Sequence, residues 1–126
     1  MDNGGLVSLF YHAGRFLTSA AFNCFTSQDE CDKLGVFLKG LPSDAIVLLA
    51  VQDSAVGSYK LPTSDLIGIG AQKANRVVGQ TSHAVIGYKG QRSVTWIKEN
   101  YKESGGEPAV VSSSIPISFL YLPEGK

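Results

Sequence analysis

Three features of this 126-residue chain predict an α+β fold with a mostly antiparallel sheet system. Apolar β-type runs and helix-type segments follow one another in the order strands, helix, strand, helix, strands. Charged residues are sparse at 17%, and glycines number 14, a balance that suits sheets better than a helical bundle with its charged outer faces. Turn signals fall between the runs, so helices are expected on the sheet or at its edge. The length fits a single domain over residues 1–126 with a core of its own.

The first strands are the apolar run Leu6–Tyr11, interrupted by Ser8, and Phe16–Phe22. His12, Ala13 and Gly14 turn the chain between them into a hairpin. Ser27 and Glu30 then form a capping box: the hydroxyl caps a free N–H and the carboxylate reaches back. Asp29, Glu30 and Asp32 suit the positive end of the helix dipole. Cys31, Leu34, Phe37, Leu38 and Leu41 recur at helical spacing until Gly40 and Pro42 stop the helix.

Ala45–Val51 reads as a buried strand and residues 52–62 as a loop. Thr63, Ser64 and Asp65 open a second helix through about Asn75, diluted by Gly68 and Gly70. His83–Tyr88 and Arg92–Ile97 are expected to pair as a hairpin across Lys89, Gly90 and Gln91. Residues 98–107 form a polar connection. Ala109–Ser113 and Ile117–Leu122 are late strands, broken at Ile115-Pro116.

Charge removes some function classes. Eleven basic residues balance eleven acidic ones, so nothing draws the whole chain to nucleic acid or to an anionic membrane. No apolar run approaches the ~20 residues that span a bilayer, so no membrane insertion is expected. The N-terminus lacks the basic and apolar regions of a signal peptide, which fits a cytosolic chain, a processed form or an excised domain.

Cys24 and Cys31 are close enough in sequence to form a disulfide between a strand end and the first turn of a helix. The alternative is two reduced thiols. Two ligands at this spacing lack the second pair that zinc wants, so no metal is expected.

Catalytic patterns are weak. His12 and His83 are the two histidines, and neither lies in a nucleophile elbow. Ser82 and His83 would sit on opposite faces of one strand, which argues against a Ser–His hydrolase. Gly68-Ile69-Gly70 lacks the third glycine of a dinucleotide loop, because position 73 is Lys73. No cofactor is implied.

The more suggestive group is polar. Asp53 follows the strand Ala45–Val51, and Gln80, Thr81, Ser82 and His83 lead into the next one. Acid, amide and hydroxyl side chains beside an aromatic face suit a sugar, with Tyr59 or Tyr88 as the stacking ring. The plainer reading makes Tyr88 and Trp96 half-buried cross-strand partners.

Five segments together carry a family resemblance. They are Gly4-Gly5-Leu6-Val7; Ala21-Phe22 ahead of Ser27; the strand Val47–Val51 with Gln52 and Asp53; Ile69-Gly70-Ala71; and Val85-Ile86-Gly87-Tyr88-Lys89-Gly90. In order and spacing, over roughly residues 4–120, the chain resembles the interleukin-like EMT inducer family. A related domain lies in the stem of the protein O-mannose N-acetylglucosaminyltransferase. The resemblance implies a β-β-α sandwich of two mostly antiparallel sheets with two short helices, without catalytic activity. It implies a lectin-like site for β-linked N-acetylglucosamine in the stem domain and a cytokine-like role in the secreted members.

The family acid corresponds to Asp53. The family's Arg-Asp-x-Trp stretch corresponds to Gln80, Thr81, Ser82 and His83, and an Arg beside the first glycine corresponds to Gly4. Two positive charges and an aromatic of that site are therefore missing here. The expectation is a non-enzymatic, carbohydrate-binding protein, secreted or extracellular, with a glycan partner. The alternative is a secreted cytokine-like or protein-interaction module. Its exposed edge near Ile115–Leu122 would pair with another chain, giving a homo-oligomer.

Overall fold

The computed structural model describes residues 6–12, 15–23, 27–51, 60–76, 82–102 and 108–116. The fold is α+β. Strands β1 (Leu6–His12) and β2 (Arg15–Phe22) come first, followed by helix α1 (Gln28–Gly40) and strand β3 (Ala45–Val51). Helix α2 (Thr63–Gly68) and a 3₁₀ turn at Ala74–Arg76 precede β4 (Ser82–Lys89) and β5 (Lys98–Lys102). The strands form one sheet in the order β2-β1-β3-β4-β5, with every neighbouring pair antiparallel.

Local chemistry sets the ends of α1. The Ser27 hydroxyl accepts from the Glu30 backbone N–H at 3.2 Å, the first half of the capping box. Glu30 reaches further back than the box requires and accepts from the Asn23 N–H at 3.3 Å, so it ties the helix start to the end of β2. Bonds from Lys33 and from that amide hold the Glu30 carboxyl below its usual range. Cys31, on the buried face of α1, is disulfide-bonded. The chain has one other cysteine, Cys24, which lies outside the described residues.

The sheet is covered on both faces. On the first, Leu34 and Leu38 of α1, Leu66 of α2 and the following Ile69 pack on Val47, Leu49 and Val85. On the second, Ile46, Tyr88 and Trp96 form a smaller cluster joined by Leu48, Ile86, Val94 and Ile115. This explains why β3 is apolar at every position instead of alternating. Among the described residues the second face is covered by irregular chain, not by the second sheet of a sandwich.

The helical layer is anchored at the end of β4. The Tyr88 N–H donates to the Ile69 carbonyl at 2.9 Å. Gly87 allows this approach, because a Cβ there would press on the Ile69 carbonyl oxygen. One residue on, the Lys89 ammonium donates to the carbonyls of Leu38 (2.8 Å), Lys39 (2.6 Å) and Leu41 (2.7 Å) and so closes the C-terminus of α1.

Four expectations need correction. α2 ends at Gly68 instead of running to Asn75, because Gly70 takes a φ of +115° and turns the chain. The Ile97 side chain occupies the space beside Gly70, 2.6 Å from where a Cβ would lie. Arg92–Ile97 is not a strand: it carries Trp96 to the second face, where its ring packs against Tyr88. The partner of β4 is instead β5, drawn from the polar connection, with Ile86 opposite Lys98 and Ser82 opposite Lys102. Charged side chains are what an edge strand needs to discourage further pairing. Ala109–Ser113 is likewise irregular, and Ile117–Leu122 lies outside the described residues.

Gly87→Ala is expected to cost about 1–3 kcal/mol, because the added methyl meets a backbone carbonyl that cannot rotate away. A urea midpoint equal to that of the parent would show that the Gly87–Ile69 approach is not tight.

Candidate functional site

The polar residues singled out in the sequence converge only in part. β3 and β4 pair so that Val51 stands opposite His83, which brings the end of one strand to the start of the other. Asp53, Tyr59, Gln80 and Thr81 lie outside the described residues. Ser82, His83 and Tyr88 are described, and they go three ways.

Strand periodicity separates Ser82 from His83. The Ser82 hydroxyl accepts from the Ala109 N–H at 2.7 Å and so holds the late segment against β4. His83 faces the other way, 2% exposed, with its ring edge-on to Tyr101 at 6.0 Å. Its Nε2 lies 2.6 Å from Glu99 Oε2. The two side chains therefore make no nucleophile–base pair.

Tyr88 lies six residues further along β4, about 20 Å at the usual rise per residue. It is 3% exposed, so it is not an open stacking face for a sugar. Its hydroxyl donates to Asp44, and its ring packs edge-on against Trp96 at 5.5 Å. The plainer reading of Tyr88 and Trp96, as half-buried cross-strand partners, holds for their contact but not for its setting: both are buried, and Trp96 lies in irregular chain, not on a partner strand. Arg92 Nε completes the group, 3.1 Å from the Tyr88 hydroxyl and 3.2 Å from the Asp44 carboxylate. Asp44 has a φ of 72°, in the left-handed region that aspartate tolerates better than most residues. Burial raises the Tyr88 pKa, and the bond to Asp44 adds to the rise.

Glu99 is the polar residue that sequence reasoning missed. It is 13% exposed at its side chain and serves three donors. Oε1 accepts from the Gln72 N–H at 2.9 Å, and Oε2 accepts from the Lys73 N–H at 2.9 Å and meets His83. The carboxylate thus fixes the turn that follows α2 to β5 and β4 together. In sequence it sits in a charged stretch, Lys98 to Lys102, that reads as solvated chain. The one signal was period two: Glu99 and Tyr101 share a face, and His83 and Val85 stand opposite them. Among the described residues, no three His, Cys, Asp or Glu side chains come together as a metal would need.

The comparisons place this framework. Residues 4–91 match the family model of the interleukin-like EMT inducer. The chain belongs to that family. No curated protein matches it as a relative. The matched span contains β1 through β4 and both helices, and it is shorter than the roughly 4–120 that the sequence resemblance suggested. Arg92, Trp96 and Glu99 fall beyond it, so the partners of Tyr88 and His83 come partly from outside the matched part of the interleukin-like EMT inducer domain.

Two tests follow from these clusters. Neutral Tyr88 contributes stability that is full below the unfolded phenol pKa of about 10 and is lost as pH rises through the higher folded value. Tyr88→Phe should therefore remove one late step from the ultraviolet tyrosinate titration. An unchanged titration would contradict the assignment. Glu99→Gln is expected to cost about 1.5–3 kcal/mol, because charge-assisted bonds are weakened inside a partly dry site. Hydrogen exchange at the Gln72 and Lys73 amides should accelerate with it. Unaltered exchange would mean that Glu99 does not hold the turn.

Proposed function

We propose that this chain is a non-catalytic, carbohydrate-binding member of the interleukin-like EMT inducer family, and that its ligand is a glycan. The observation that carries this reading is the pairing of Val51 with His83. It sets the end of β3, which Asp53 follows in sequence, beside the start of β4, which Gln80 and Thr81 precede. Asp53, the acid that corresponds to the family's, would accept from sugar hydroxyls, and Gln80 would both donate and accept. Ser82 and His83 serve as supports in this reading: each is already bonded within the fold. The disulfide at Cys31 fits an oxidising compartment, and we place the protein outside the cell.

A second reading, as a cytokine-like protein ligand, is favoured by exposed apolar side chains on the helices. Val36 is 69% exposed, Phe37 40% and Ile67 38%. In that reading the glycan site is lost and the helical layer meets another protein.

A glycan array separates the two. Binding to a defined set of glycans, with Asp53→Ala removing most of the affinity at an unchanged melting temperature, is the expected result. An array blank at high protein concentration would reject the carbohydrate reading and leave the second.

A further inference from the structure

We propose a second small-molecule site at the opposite end of the sheet, in a cleft between α1, α2 and the end of β4, for an uncharged polyhydroxylated ligand such as a pyranose. It rests on the carbohydrate reading for the class of probe and on the structure for its place. The cleft has a volume of about 390 Å³, within the range of small-molecule sites.

Its chemistry comes from separate elements. Lys39 near the end of α1, Ser64 and Asp65 in α2, and Gln91 after β4 bring an ammonium, a hydroxyl, a carboxylate and an amide to one rim. Leu38 and Ile69, both buried, give it an apolar floor. A sugar ring has the matching pattern: hydroxyls around its edge and C–H groups on its face.

Charge decides against an anion. The Lys39 ammonium is 2.7 Å from the Asp65 carboxylate, so its charge is compensated within the cleft. The Lys89 ammonium is bonded to three carbonyls at the end of α1. A phosphate or carboxylate ligand would find these charges already compensated and would meet the Asp65 carboxylate. A neutral polyol can add to the Lys39–Asp65 pair without opening it, donating to the carboxylate and accepting from the ammonium.

The cleft is held in shape and open. The Lys89 bonds fix the end of α1 to β4, and Gly35 lets α2 approach α1 closely, 3.2 Å separating Pro62 from the position of a Cβ. Gly68 lines the cleft, and a Cβ added there would meet nothing within 4 Å. That open space is also the means of testing the site. Gly68→Leu adds an alkyl group at a residue that lines the cleft, and leucine favours the helix more than glycine does.

The experiment is a heteronuclear NMR titration of the full chain with methyl pyranosides and free N-acetylglucosamine. Shifts at the amides of Lys39, Asp65, Gly68 and Gln91 are expected, weakened at least about tenfold in Gly68→Leu and in Asp65→Asn and unchanged in Asp53→Ala. Melting curves confirm that each variant is folded, and Asp65→Asn remains informative if Gly68→Leu is not. Shifts confined to the Ser82–His83 end, or cleft shifts that both variants leave intact, would overturn the second site and keep the carbohydrate reading. A chain that no sugar perturbs anywhere would overturn both.

Discussion

The Lys89 ammonium, at the last residue of β4, holds the carbonyls of Leu38, Lys39 and Leu41. A helix end presents carbonyl oxygens with no partner and a partial negative charge, and a cation donating to three of them answers both needs. The contact joins residues about fifty positions apart and sets the height of α1 over the sheet. Neighbouring features follow from it. The chain turns at Asp44 into β3, and the Asp44 N–H bonds to the Lys89 carbonyl. Gly87 then admits Ile69 at the one strand end where the helical layer is already fixed.

The sheet distributes polar chemistry between its two faces. His83 and Glu99 work on the helical face, where they hold the turn after α2. Ser82, Tyr88 and Trp96 work on the other, where they hold the irregular chain. Side chains that look like a reactive set in sequence are thus divided into two structural sets by the pleat alone.

Local features were legible from the residues. The hairpin, the Ser27 cap, the Gly40 stop and the buried strand Ala45–Val51 all depend on neighbours a few residues away, and each stands close to where it was expected. Opposite faces for Ser82 and His83 were also legible, from period two. β5 was not, because Lys98, Glu99, Asn100, Tyr101 and Lys102 have no apolar rhythm; β4 selects them as an edge. The bond of the Tyr88 hydroxyl was hidden for a related reason: its partner, Asp44, is 44 residues away. Residue type announced a polar group in each case, and only long-range pairing decided whether it was spent on the fold.

The strand order β2-β1-β3-β4-β5 has a consequence for how the chain is assembled. After the initial hairpin, every later strand joins the same growing edge, in the order in which a ribosome would deliver it. No strand has to be inserted between two that are already paired. Among the described residues β2 stands at one margin from the start, while the other margin moves outward as far as β5, with its lysines and glutamate. The sheet therefore has a direction in time as well as in space, and its charged strand is the last made of those described.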